Sequence, residues 1–264
     1  MHVLCIYFLT FLEIFDIIYI ENEKGSNKMF PTLAERQAAM NFVHDLFEND
    51  FYDAISYHQN ECGGYIVGFM DWVNSHNSFF DNVEASFYHG ASKVCIAIPE
   101  LADKWVIKMS FLRKTNPNYE DSADDYCLRE ANYFKEACEA HLNEFFAGSY
   151  AIGTVKEAVV CLQEFAHPDP DMFETIMYDR IEETPERFGI CKESYDSEEE
   201  YLDEVRTTIS WFSEEEEVST ILGDGHDELI KFIEDHRIND LHSGNWGITS
   251  DGRFVIFDYS GYEG

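Results

Sequence analysis

Basic residues are scarce. The 264-residue chain sets 18 Lys plus Arg against 52 Asp plus Glu, a formal net charge of −34. Affinity for a phosphate backbone comes from cations that neutralise phosphates, so this balance argues against direct nucleic-acid binding. Paired cysteines are also lacking. Seven cysteines, Cys5, Cys62, Cys95, Cys127, Cys138, Cys161 and Cys191, fall singly, with an odd total and no C-x-x-C spacing. A disulfide framework is thereby set aside, and reduced thiols in a cytoplasm are expected. His226, His236 and His242 come near one another without a cysteine pair beside them, so core or surface roles are expected of them rather than metal ligation. The one long apolar run, MHVLCIYFLTFLEIFDIIYI at the start, lacks a basic flank and a small-residue cleavage signal and carries Glu13 and Asp16 inside it. It reads as a buried helix or strand, or as the product of an upstream start, and no membrane association is expected. The polar stretch ENEKGSNK and a second plausible beginning at Met29 set residues 1–28 apart as an N-terminal extension.

What is present is material for a core: 45% hydrophobic residues and 16% aromatics over a length sufficient for one two-lobed domain or two small ones. The acidic surplus has three readings: a solubilising surface, recognition of a basic protein, or mimicry of nucleic acid to block a DNA-binding protein. The runs Ser194 to Tyr201 and Glu214 to Glu217 read as solvated helix faces.

Along the chain, residues 29–85 form an N-terminal helical segment. Thr32 is its N-cap, Glu35 completes a capping box, and Leu33, Met40, Phe42, Val43, Leu46, Phe47 and Phe51 follow at helical spacing. Cys62-Gly63-Gly64 reads as a turn, and YIVGFMDWV is too short to assign by periodicity. Residues 86–168 change to short β-type runs, ASFYH, KVCIAIP and WVIKMSF, the pattern of a three-stranded antiparallel meander. A long helix follows in DSADDYCLREANYFKEACEAHLNEFF, its apolar face drawn through Tyr126, Leu128, Ala131, Phe134, Ala137, Cys138 and Leu142. GSYAIGTVKE and AVVCLQEFA make a second hairpin, closed by His167-Pro168-Asp169-Pro170, where two prolines end the sheet. Residues 169–264 are expected to be acidic helices, then the loop RINDLHSGNWG and a terminal pair of strands around Asp251-Gly252. The order implies an α+β fold of two lobes.

The polar residues of the last quarter carry the chemistry. Asn239-Asp240-Leu241-His242-Ser243-Gly244-Asn245 reproduces D-x-x-x-x-N, in which an Asp orients an acceptor hydroxyl and an Asn coordinates magnesium. The preceding His-Arg of that motif is replaced by Ile238-Asn239. Thirteen residues after Asn245, Asp258 leaves the β-run RFVIF, as a second magnesium ligand does, with Tyr259-Ser260 where a single Phe is usual. Upstream, Lys108 in Val106-Ile107-Lys108 matches a strand lysine that grips the α- and β-phosphates, and its partner is expected to be Glu130 on the following helix, with Glu136 second. Gly90 and Ser92, in Tyr88-His89-Gly90-Ala91-Ser92-Lys93, take the place of a glycine-rich phosphate loop, with one glycine where the full motif has three. Gln163 and Phe165 in AVVCLQEFA are assigned to the nucleotide side of the same cleft.

In this order the motifs resemble the protein-kinase-like superfamily. WVIKMSF and INDLHSGNWGITSDGRFVIFD are most similar to the early serine/threonine kinases of short-tailed, T-odd-type bacteriophages, over roughly residues 86–262 and densely over about forty. The resemblance implies a two-lobed fold with an antiparallel-sheet N-lobe and a small, truncated, mainly helical C-lobe. It also implies ATP and Mg2+ as cofactors: Asp240 catalytic, Lys108 and Glu130 the clamp and its partner, Asn245 and Asp258 the metal ligands. The sequence as given ends at Gly264, six residues past Asp258, where protein kinases continue into substrate-holding helices. Two functions are therefore expected in competition. One is a Ser/Thr kinase acting on host proteins or on itself; the other is a catalytically reduced, kinase-derived acidic protein that inhibits a basic, nucleic-acid-binding host protein.

Overall fold

The computed structural model describes residues 30–58, 69, 71–73, 75, 84–90, 92–101, 104–114, 125–209, 214–223, 225–239 and 241–261. The 1–28 extension, the Cys62-Gly63-Gly64 turn and Asp240 lie outside the described residues. Thr32–Gly264 is one compact unit.

The chain enters this unit through α1 (Leu33–Glu48), where Thr32 and Glu35 make the capping box that the sequence announces. The buried face of α1 is Ala39, Val43, Leu46 and Phe47, while Leu33 is exposed. A second short helix, α2 (Phe51–Ile55), brings Phe51 edge-on to Trp72. Strand β1 (Ser56–His58) pairs in parallel with β5 (Leu112–Lys114).

The main sheet has five antiparallel strands: β2 (Ser86–His89), β3 (Lys93–Ala97), β4 (Trp105–Ser110), β6 (Ser149–Val155) and β7 (Ala158–Glu164), in the order β2-β3-β4-β7-β6. The meander is β2-β3-β4, the hairpin is β6-β7, and β7 closes against β4. Both faces of β4 are buried, so its two-residue period sorts partners by chemistry. Ile107 and Met109 share one face with Val94, Ile96 and Leu162. On the other face Lys108 sits opposite Cys95 and Cys161, and Ser110 opposite Lys93.

Helix α3 (Tyr126–Glu139) covers this polar face. It is shorter than the sequence suggests: Asp125 caps its start, accepting from the Cys127 and Leu128 amides, and His141 takes a positive φ just past its end. Its buried face follows the expected stripe at Tyr126, Ala131, Phe134 and Ala137 and departs from it at Leu128. Leu128, expected inward, is 38% exposed, whereas Cys127, Glu130, Ala131, Phe134 and Ala137 face the sheet. The Asp125 carboxylate also accepts from Ser110 Oγ at 2.7 Å and so ties the start of the helix to β4, with Cys127 inward and Leu128 at the edge.

A second antiparallel sheet, order β10-β9-β8, consists of β8 (Ala166–Pro168), β9 (Trp246–Thr249) and β10 (Phe254–Ile256). The sequence suggests only the β9-β10 pair. A third strand forms beside them because Pro168 sits at its last position and Pro170 begins α4 (Pro170–Glu183), capped by Asp169. The approach of β8 to β9 is close: a Cβ on Gly247 would lie 2.6 Å from the His167 carbonyl oxygen. The acidic region is a set of helices, α4, α5 (Glu198–Ile209), α6 (Glu214–Leu222) and α7 (Asp227–Asp235). Ile181, Ile190, Tyr201 and Val205 form a small core between α4 and α5, and Glu198, Glu199 and Glu200 stand exposed at the start of α5.

Candidate active site

Glu130 is fully buried and its carboxylate is shared by four donors. Oε1 accepts from Lys93 Nζ at 2.6 Å and from the Tyr259 amide at 3.2 Å; Oε2 accepts from Lys108 Nζ at 2.8 Å and, at 3.4 Å, from Gln163 Nε2. Lys108 also donates to the Phe257 carbonyl at 3.0 Å. Lys93 also donates to Ser260 Oγ at 2.7 Å and is ion-paired with Asp258. Two ammonium groups and two carboxylates thus close into one cluster between the sheet, α3 and the segment after β10. A buried carboxylate is tolerated only with such pairing.

The electrostatics follow the geometry. Burial opposes the charged form of Lys108, but the Glu130 and Asp258 carboxylates outweigh it and raise its pKa. Lys93 is raised for the same reasons, with Asp258 ahead of Glu130. Burial pushes Asp258 up, yet Lys93 and then Lys108 hold it well below the usual carboxylate range. Lys93, Lys108 and Asp258 are therefore charged near neutrality. Burial pushes the Cys95, Cys127 and Cys161 thiols on this face up, so they stay protonated.

The structure brings Lys108, Glu130 and Asp258 together, as it does Gln163, whose amide turns inward onto Glu130. Glu136, the second choice as partner for Lys108, is exposed and pairs with His236 at 2.8 Å. Asn245 is buried at the end of a short 3-10 turn, Ser243–Asn245, and its carbonyl accepts from the Phe257 amide at 2.9 Å. That bond sets the Asn245 backbone beside the residue preceding Asp258. Gly90 and Ser92 lie in the β2-β3 turn next to Lys93. The Gly90 amide is bonded to the Lys93 carbonyl at 2.9 Å, and a Cβ at Gly90 would meet nothing within 4 Å. Phe165 is not part of the cluster. It lines an open hollow of about 680 Å³ with His167, Asp169, Ile248 and Thr249. Glu164, beside it, caps the Gly148 amide at 3.1 Å and is paired with Arg253, fastening the main sheet to the β9-β10 turn.

The three histidines that come near one another in the sequence have local partners. His226 Nε2 lies 3.1 Å from the Leu222 carbonyl, His236 Nδ1 2.8 Å from the Phe232 carbonyl, and His242 Nδ1 accepts from the Gly244 amide at 3.0 Å. Among the described residues no group of three His, Cys, Asp or Glu could hold a metal by itself, and no helix is long and apolar enough to cross a membrane. Asn245 and Asp258 do offer hard oxygen donors. A magnesium ion bound mainly through phosphate oxygens and water needs no more than one or two protein ligands, so the donor set fits that ion.

Sequence reasoning misses Lys93. The signal is a lysine opening the strand KVCIA, out of phase with the buried apolar positions Val94 and Ile96, but its place on the Lys108 face depends on the β3-β4 register. No family model, curated protein or solved structure matches the chain.

Proposed function

We propose that the chain is an ATP- and magnesium-dependent phosphotransferase of protein-kinase-like fold, acting on serine or threonine of a host protein or on itself. The observation that carries this reading is the Lys108–Glu130 ion pair at 2.8 Å, formed across β4 and α3 beside Asp258. The sheet supports it in arrangement: a meander, a helix that turns a buried glutamate onto the third strand's lysine, then a hairpin. In this reading Lys108 contacts the α- and β-phosphates, Glu130 orients it, and Asn245 and Asp258 hold the metal, which when bound neutralises charge on the β- and γ-phosphates. Asp240 accepts the proton of the attacking hydroxyl, whose oxygen bonds to the γ-phosphorus as the bond to the bridging β,γ-oxygen breaks and ADP leaves.

The test is incubation of the purified protein with Mg2+ and γ-labelled ATP, alone and with cell lysate, beside Asp240→Ala and Asp258→Ala. Label is expected on the protein or on a lysate protein and is expected to be lost in both variants. Absence of transfer, together with absence of magnesium-dependent stabilisation by ATP, removes the enzyme reading.

A second reading rests on charge. A net −34 with Glu198, Glu199 and Glu200 exposed on a helix that has its own core favours a surface that binds a basic protein, independently of catalysis.

A further inference from the structure

Lys93 is a buried lysine for which the kinase-like reading has no role. Its ammonium is held by oxygens of Glu130, Asp258 and Ser260. It opens β3, directly after the Gly90–Ser92 turn that takes the place of the phosphate loop, and it shares a sheet face with Lys108. Glu130 gives one carboxylate oxygen to each lysine, so the two ammonium groups flank a single carboxylate. Lys93 also stands against Asp258, the carboxylate assigned to magnesium. Without Lys93 the cluster would carry one ammonium against two carboxylates, an excess negative charge at the place where a polyanionic triphosphate has to enter a protein of net charge −34.

We propose that Lys93 is a second nucleotide-phosphate ligand, sharing the triphosphate with Lys108, so that this cleft presents two strand lysines instead of one. The inference rests on the ATP reading above. Nucleotide entry exchanges the Asp258 contact of Lys93 for phosphate oxygens while Glu130 retains both lysines. A purely structural Lys93 would keep Asp258 and leave nucleotide affinity to Lys108.

Affinity labelling of the unaltered protein separates these cases. In an ATP derivative acylated on its γ-phosphate, a lysine Nζ within reach attacks the acyl carbonyl. The carbonyl-to-phosphate C–O bond breaks, ATP departs as the leaving group, the amine proton passes to solvent, and an amide remains on the lysine. Mass spectrometry is expected to find the amide on both Lys93 and Lys108, with both suppressed by excess ATP. Labelling confined to Lys108, competed by ATP, overturns the proposal and leaves the ATP reading standing. No labelling at either lysine, with no ATP binding in a direct titration, overturns both. Independently, calorimetric titration of Lys93→Met with ATP and Mg2+ is expected to show affinity reduced by about tenfold or more, since a hydrogen bond to a charged group is lost. Lys93→Arg is expected to recover most of it, and a Lys93→Met protein that binds ATP like the wild type overturns the proposal. Should Lys93→Met fail to fold, the labelling result decides alone.

Discussion

The ammonium groups of Lys93 and Lys108 are bonded to the two oxygens of one carboxylate, that of Glu130, at 2.6 and 2.8 Å. Both lysines and the glutamate are almost wholly buried, so the arrangement is a closed set of charges whose members depend on one another. Removing the carboxylate leaves two cations with only Asp258 between them. Glu130→Ala is expected to destabilise the protein by about 3–5 kcal/mol, the range for breaking a buried ion pair from one side. Urea unfolding of the variant beside the wild type measures it. A loss below about 1 kcal/mol would mean that solvent reaches the cluster and screens it.

Asp258 links this cluster to pH. Its folded-state pKa is depressed by Lys93 and Lys108, so the unfolded chain binds the proton more readily than the folded one and stability rises with pH. The contribution is complete above the ordinary carboxylate pKa of about 4 and is lost as pH falls below it. Unfolding free energy measured from neutral pH downward is expected to fall more steeply for the wild type than for Asp258→Asn. The difference between the two curves isolates this residue from the many other acids, and parallel curves would show that Asp258 gains nothing from the lysines.

The local features of the fold and of this site are legible in the sequence because they depend on neighbours in the chain. Thr32 with Glu35, the three strands of the meander and the choice of Glu130 over Glu136 all follow from spacing within one element. Lys93 is not legible, because whether a strand residue joins Lys108 or faces away is decided by register: Lys93 pairs with Ser110 and Cys95 with Lys108, an alignment that the turn between the strands fixes. Leu128 is misplaced by the sequence because it lies at the edge of the apolar stripe beside Cys127, and the Asp125–Ser110 bond that seats the start of the helix on β4 is tertiary. Strand β8 escapes it because a proline reads locally as a terminator, yet at a strand's last position it costs no ladder bond.

Tyr259 occupies the place where the resemblance leads one to expect phenylalanine, and the hydroxyl has a structural use. The ring is fully buried against Phe146, and the phenol donates to the Ala147 carbonyl at 2.8 Å, joining the segment after Asp258 to the α3-β6 connection. Burial, and after it the Glu130 charge, raises its pKa well above the ordinary value, so it stays a neutral donor. Tyr259→Phe is expected to cost about 1 kcal/mol for the lost hydrogen bond, and Tyr259→Ala about 3–5 kcal/mol for the cavity. Denaturant titrations of both variants test this. Equal losses would mean that the hydroxyl, and not the ring, supplies the stability.

Gly247 tests the second sheet. A Cβ at this position would stand 2.6 Å from the His167 carbonyl oxygen, and the obstacle is backbone that cannot rotate aside. Gly247→Ala must therefore part β8 from β9, and it is expected to destabilise by about 1–3 kcal/mol, as overpacking of a tight contact does. Hydrogen exchange is the informative readout. Faster exchange is expected in the 166–168 and 246–249 strands, with the five-stranded sheet unchanged. Uniform acceleration across both sheets would mean that they unfold as one unit.

The acidic helices allow catalysis and binding to be separated. If their charge recruits a basic partner, the attraction acts between exposed groups and weakens as the Debye length shrinks from about 10 Å at 0.1 M salt to about 3 Å at 1 M. Immobilised protein is expected to retain basic proteins from lysate at low salt and to release them along a salt gradient. Neutralising Glu198, Glu199 and Glu200 together as glutamines is expected to shift release to lower salt, because these carboxylates are exposed and their removal leaves the Ile181–Tyr201–Val205 core untouched. Asp240→Ala should elute with the wild type, since the attraction belongs to the surface and not to the cleft. Retention that ignores salt would exclude charge as its cause, and retention lost in Asp240→Ala would tie the partner to the cleft as a phosphoryl acceptor.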